Sequence, residues 1–395
     1  MNNSIYLFQR ALRLDDNLGL IECLNNSDNV YPIFCVDPRQ ATDKNKFLSP
    51  FALGFMLQSL QDLNNQLKKY GKKLCILYGE PQIVLKSLIQ KHKINNIYMN
   101  KDYTPFARQR ATELQEICNI IEIEDYLLFP EGSIKTTSGK AYRVYTPFLR
   151  VVERKQVKKP IKIQNSLEKI VNIKSDKKAL DTLNKYSKTL TNSLNFPGGR
   201  QEALNKLDNL IITQKNYDKC RDYLTYNTSN LSAYIKFGCV SIREVWEAFG
   251  KISDKSSKLL KKQLLWREFY YHWYIDFPES LEWDKQLPEA KLDSKAPDIV
   301  KACYNQLNET GFLHNRGRMI LAHYLLHYKK IYWKSCDKMY ATRLVDYDPI
   351  VNIGNWNFIK KQPKFKWLKP EVQYKKWDKG CTDNIKQGDY TRMYT

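Results

Sequence analysis

The chain has 395 residues, 43% of them hydrophobic, which is more than one ordinary core takes and enough for two. Its 64 Lys and Arg against 42 Asp and Glu leave a formal charge of +22; a polyanion such as nucleic acid would offset that excess, although a solvated Lys-rich surface has the same composition. No apolar run reaches membrane-spanning length, no signal-peptide core follows the N-terminus, and the nine cysteines lack any C-x-x-C pair. Neither a disulfide framework nor a zinc or iron–sulfur site is therefore indicated, and a soluble protein of a reducing intracellular compartment, cytoplasm or nucleus, is expected.

In chain order, residues 4–8 (SIYLF), 29–35 (NVYPIFC), 73–78 (KLCILY), 95–99 (NNIYM) and 119–123 (NIIEI) are short, apolar and rich in β-branched or aromatic side chains. They predict buried parallel strands. Helical patterns between them, such as 53–67 and 81–91, predict a doubly wound α/β domain over residues 1–125. Residues 126–195 read as an interdomain linker, basic and weakly periodic. Amphipathic patterns over 201–210, 241–249, 258–274 and 315–332 predict a mostly α-helical domain over 196–395.

The helical half carries the chemistry-bearing patterns. Tyr217 precedes the run Thr228-Ser229-Asn230-Leu231-Ser232, whose hydroxyls and backbone N–H groups suit phosphate, and equally suit plain helix capping. Gln263 and Trp266 lie three apart on one helix, an amide beside an aromatic plate suited to a flat polar base; a core helix with a buried Trp reads the same. Next come Asn315, Arg316, Arg318 and Met319, then Asp346, Asp348, Asn352, Trp356 and Phe358. Arg318 is a ready ion-pair partner for Asp346. His323 and His327 share a helix face but lack the Glu that a zinc hydrolase needs, so no metal is expected. A flavin-free, nucleic-acid-binding structural protein fits the charge alone.

Taken in order, RALRLDDN (10–17), TPF (146–148), FPGGRQEAL (196–204), TSNLSAYIKFG (228–238), LLWREFY (264–270), HNRGRM (314–319) and DYDPIVNIGNW (346–356) resemble the successive signatures of the photolyase/cryptochrome family along nearly the whole chain. Several motifs in register weigh far more than any one. The resemblance implies FAD folded into the helical domain, with Tyr217, Thr228, Ser229, Asn230, Leu231 and Ser232 on its phosphates and ribityl chain. It implies Arg318 and Asp346 beside the ring, Asp348 near the ring's polar edge or the adenine, and Asn352 facing flavin N5. Gln263, Trp266, Asn315, Met319 and Phe358 would form the lesion pocket, with Arg221 and Arg316 near the phosphates of UV-damaged DNA. The activity implied is light-driven repair of cyclobutane pyrimidine dimers flipped into the pocket, by electron transfer from reduced FAD (FADH⁻). Trp356 and Trp333 match the proximal and middle members of the chain that photoreduces flavin. An antenna chromophore of folate or deazaflavin type is expected in the α/β domain, although no G-x-G-x-x-G occurs, and a monomer is expected.

Some positions depart from the family pattern. Gln263 stands where cyclobutane-dimer enzymes usually have Glu, and is typical of (6-4) photolyases and animal cryptochromes. The histidine pair of (6-4) enzymes is replaced by Asn315 and Met319, which removes the evident general acid for that reaction. Phe358 stands where a second stacking Trp is common. Residues 279–300 are short for the family, leaving Trp283 as the candidate distal electron donor. No long regulatory tail of the cryptochrome kind is expected. A blue-light-sensing cryptochrome without repair activity is the alternative.

Overall fold

The computed structural model describes residues 1–163, 166–190, 197–281, 286–361, 372, 376–381, 386 and 388–395, without the side chains of 166 and 187–190. Trp283 lies outside the described residues.

The first part alternates strand and helix: β1 (Asn3–Phe8), α1 (Leu18–Asn25), β2 (Asn29–Val36), α2 (Pro38–Ala41), α3 (Pro50–Lys68), β3 (Cys75–Tyr78), α4 (Pro81–His92), β4 (Ile94–Asn100), α5 (Pro105–Gln115) and β5 (Asn119–Ile123). All the strands sit where the apolar runs place them, in one parallel sheet of order β3-β2-β1-β4-β5. β1 is buried almost throughout because helices cover both faces. Asn17 and Ser49 cap α1 and α3 through their side chains.

Helices α6 (Tyr145–Val152) and α7 (Lys177–Leu190) lie within the stretch that reads as linker. α7 packs on α3 and β3, so this stretch also builds a flank of the sheet layer.

From residue 200 the chain is helical: α8 (Arg200–Asp208), α9 (Leu210–Thr213), α10 (Tyr217–Cys220), α11 (Ser232–Lys236), α12 (Ile242–Gly250), α13 (Asp254–Asp276), α14 (Asp298–Thr310), α15 (Asn315–His323), α16 (Trp333–Ala341), α17 (Pro349–Lys360) and α18 (Asp389–Tyr394). α12 opens with a full capping box, Ser241 with Glu244. Gly311 ends α14 at φ +65, where a Cβ would also stand 2.2 Å from Phe51.

Two expectations are corrected. The single helix over 315–332 is broken: α15 ends at His323, a π-helical turn covers Tyr324–Tyr328, Lys330 turns left-handed at φ 56, and α16 starts at Trp333. The apolar spacing runs through this break, so periodicity alone conceals it. Second, Cys220 and Cys381 form a disulfide across 161 residues. Such a pair has no local spacing signature.

The sheet and the helical half are joined by a buried ionic cluster. Arg13 Nη2 and Arg243 Nη2 each donate to Asp125 at 2.6 Å, and Arg243 Nε donates to Asp16 at 2.9 Å. Asp125 is held below the usual carboxylate range because the two guanidiniums outweigh the upward push of burial. Gly238, at φ +64, lets α11 approach the Arg10–Ala11 backbone; a Cβ there would lie 2.3 Å from the Arg10 carbonyl oxygen.

Candidate functional site

A cavity of about 560 Å³ opens among α10, α11, α13, α15 and α17. It collects almost every residue that the motifs single out: Tyr217, Arg221, Thr228, Ser229, Asn230, Leu231, Ser232, Gln263, Trp266, Asn315, Arg316, Arg318, Met319, Asp346, Asp348, Asn352, Trp356 and Phe358. Trp333 does not line it; it packs against the apolar cluster that buries Trp356.

One wall is the loop 227–231 leading into α11. It turns through Asn230 at φ 50, a left-handed conformation that Asn tolerates, and Asn230 Nδ2 donates to Asn227 Oδ1 at 2.6 Å. Above it, Arg318 Nη2 donates to both oxygens of Asp346 at 3.0 and 2.8 Å. Burial pushes the Asp346 carboxyl up, but Arg318 outweighs it and holds the group ionised below its ordinary range.

Asp348 is already committed as the N-cap of α17: Oδ1 accepts from Ile350 N and Val351 N. Its Oδ2 accepts from Tyr271 Oη at 2.6 Å and Tyr126 Oη at 3.1 Å, with Arg10 Nη1 at 3.5 Å. Burial raises it, and Arg10 with Tyr271 more than compensates, so it too is ionised. These oxygens are satisfied by protein donors, which makes Asp348 first a support of the wall.

Asn352 donates through Nδ2 to Asp337 Oδ1 at 2.5 Å, which leaves its carbonyl oxygen as the atom available to a ligand. Asp337 also accepts from Trp356 Nε1 at 2.9 Å and Tyr347 Oη at 2.7 Å. One carboxylate, 2% exposed, thus fixes both side chains. Sequence reading missed it because it meets the cavity only through its neighbours; its one signal is its place a turn after Trp333 on α16.

The opposite wall is aromatic. Trp266 stacks face to face on Tyr145 at 3.5 Å, and its edge meets Phe358 at 6.4 Å. One face of the expected aromatic plate is therefore covered by α6. Gln263 is exposed to the cavity and donates weakly to Leu259 O at 3.4 Å. Arg316 donates to Asp222 Oδ1 through Nε and Nη2, at 2.9 and 2.6 Å, and lies over Trp377. Its charge is matched by protein, whereas Arg221 stands 4.0 Å from the same carboxylate and is about a third exposed.

Two lining groups had no functional reading in sequence. Half-buried Lys236 donates to Val345 O at 3.3 Å, and burial with nearby Arg10 pulls its ammonium down to about 8. His314 accepts from Arg316 N through Nδ1, while its buried Nε2 has no partner among the described residues. Burial, then Arg316, lowers it to about 4, so at neutral pH it is an uncharged N–H donor and no general acid.

The donor set fits a long, doubly charged ligand with a flat ring: hydroxyls and backbone N–H groups at one end, a guanidinium–carboxylate pair and an amide oxygen at the other. His323 and His327 have ring centroids 4.7 Å apart, and no cluster able to hold a metal occurs among the described residues. No described helix is long and apolar enough to cross a membrane.

A family model described as DNA photolyase matches residues 4–164, and one described as the FAD binding domain of DNA photolyase matches residues 259–394. The chain is 30% identical over 399 residues to a deoxyribodipyrimidine photo-lyase of Buchnera aphidicola, covering 91% of this chain and 80% of that one. It is 27% identical to a cryptochrome DASH of Idiomarina loihiensis, covering 90% and 85%. An archaeal photolyase from Sulfolobus tokodaii, solved with two FAD molecules, superposes with a TM-score of 0.83 at 28% identity, over all of this chain and 90% of that one.

Proposed function

This chain belongs to the photolyase/cryptochrome family, and on that premise we propose that it is a light-driven DNA-repair enzyme that splits cyclobutane pyrimidine dimers. The observation that carries this reading is a single cavity bounded by Ser229, Ser232, Arg318, Asp346 and Asn352 on one side and Gln263, Trp266, Asn315, Met319 and Phe358 on the other. Reduced FAD, when bound there, supplies under light the electron that opens the cyclobutane ring and takes it back afterwards.

The protein's own part is binding, orientation and exclusion of water. Tyr217, Thr228, Ser229, Asn230, Leu231 and Ser232 hold the phosphates and ribityl chain. Arg318 and Asp346 flank the ring. Asn352, its amide nitrogen tied to Asp337, presents an oxygen that accepts from a protonated ring nitrogen and so favours reduced flavin. Gln263 and Asn315 hydrogen-bond the flipped pyrimidines against Trp266, Met319 and Phe358, and Arg221 meets the DNA backbone. Trp356 and Trp333 carry electrons inward when the cofactor is oxidised. An antenna pigment of folate or deazaflavin type would enter at the switch point between the ends of β1 and β4. The charges that follow those two strands, Arg10 after β1 and Asp102 after β4, are already paired at 3.1 Å and would have to yield.

Light sensing without repair is the second reading. Tyr145 over Trp266 and the uncharged Gln263 favour it, as do relatives named cryptochrome. A (6-4) photolyase is less well supported, since His314 is held neutral and positions 315 and 319 carry no imidazole. Illumination of fully reduced protein with oligonucleotides bearing either lesion separates these: repair of the cyclobutane dimer alone is expected, and repair of neither would leave light sensing.

A further inference from the structure

Besides Trp333, two tyrosine rings adjoin the path from the cavity to the surface. Tyr340 meets Trp356 edge-on at 5.8 Å, and Tyr332 meets Trp333 at 6.2 Å. We propose that Tyr332 is the surface terminus of the electron path, giving Trp333 an electron and water a proton. The inference rests on the reading of the cavity as a flavin site and names the donor that this reading leaves open.

A phenol is a good one-electron donor only if its proton can depart with the electron. Tyr340 is 3% exposed, donates to the Arg318 carbonyl oxygen at 2.9 Å, and is pushed well above its ordinary range by burial. Oxidising it would strand a positive charge against Arg318. Tyr332 is 52% exposed at the N-cap of α16, so its proton can pass directly to solvent.

The surroundings of Trp333 push in the same direction. The Lys360 ammonium lies 4.4 Å over its ring and that of Lys334 lies at 5.9 Å. A cation over an aromatic face stabilises the neutral ring and opposes a positive hole on it. Trp333 is thus a poor resting place for the hole. A neighbour that becomes a neutral radical on losing its proton removes the positive charge from this lysine-rich surface.

The steps balance. Trp356 gives one electron to the light-excited oxidised flavin, Trp333 refills Trp356, and Tyr332 refills Trp333 while its phenolic proton goes to water. A soluble thiol then restores the neutral phenoxyl radical to phenol by giving it a hydrogen atom.

The test is flash photolysis of flavin-loaded, oxidised protein, read by transient absorption and electron paramagnetic resonance, with a nitroso spin trap and mass-spectrometric localisation of the adduct. The native protein should end in a tyrosyl radical with the adduct on Tyr332. Tyr332→Phe should end in a tryptophanyl radical that recombines about tenfold faster, equal to some 1.4 kcal/mol of barrier. A terminal tryptophanyl radical in native protein, unchanged in Tyr332→Phe or abolished in Trp283→Phe, overturns the inference. Radicals that persist undiminished in Trp356→Phe would instead overturn the underlying route from the cavity.

Discussion

The junction between sheet and helices and the cavity within the helices are both lined with charge, yet they use it in opposite ways. At the junction, Arg13, Asp16, Asp125 and Arg243 satisfy one another, each nearly inaccessible to solvent. In the cavity, Asn352, Gln263, Lys236 and His314 keep hydrogen-bonding capacity that protein does not fill. Closed polar networks hold a fold together, and open ones await a ligand.

The sharpest way to break this contrast is Asp125→Ala, which leaves two buried guanidiniums without their shared carboxylate. We predict a loss of about 3–5 kcal/mol in urea unfolding, with or without FAD. A loss below about 1 kcal/mol would mean that the cluster is not structural. FAD at one hundred times its dissociation constant should stabilise the native protein by about 2.7 kcal/mol. Asn352→Ala should cost the ligand-free protein about 1.5–3 kcal/mol, because it strips the buried Asp337 carboxylate of a donor, and should shrink the cofactor-linked gain as well; calorimetric scans with and without FAD read both.

Acid tests the same contrast through the helical half, which holds the buried His272, His314 and His323. Burial lowers each to about 4 from 6.5. The folded state therefore binds fewer protons than the unfolded one, so the stability due to these groups is present above about 6.5 and is lost as pH falls toward about 4. Glu268, pushed up to about 7 by burial, works against this, since its contribution falls as pH rises from 4.5. Burial raises Asp378 as well, and with three histidines against these two carboxyls the helical half should lose stability between pH 6.5 and 4, visible as earlier hydrogen exchange in α13 and α15 than in the strands. Exchange that rises first in the strands would contradict it. The smallest effect expected is on DNA: Arg221→Ala should lower the salt dependence of binding by about one counterion, because its guanidinium is not fully matched.

The sheet was legible because β1 and β2 carry continuous apolar runs, and β4 the run Ile97–Met99, between helical patterns, a signal that needs no long-range information. The cavity was legible by motif, since Ser229, Arg318, Asp346 and Asn352 come from separate segments, the loops before α11 and α17 and the helices α15 and α17, that only the fold unites. What escaped depended on contact at a distance. Asp337 acts through Asn352 and Trp356, Tyr145 reaches Trp266 from α6, and Cys381 finds Cys220 across 161 residues. Asp348 was legible as a site residue, but its role as an N-cap shared with Tyr126 and Tyr271 was not.

The central claim is that the helical cavity holds FAD, and hydrogen exchange with and without FAD measures it directly. The account predicts slower exchange over residues 228–236 and 346–358 with the strands β1 to β5 unchanged. Protection confined to the strand ends, or none in either stretch, would contradict it.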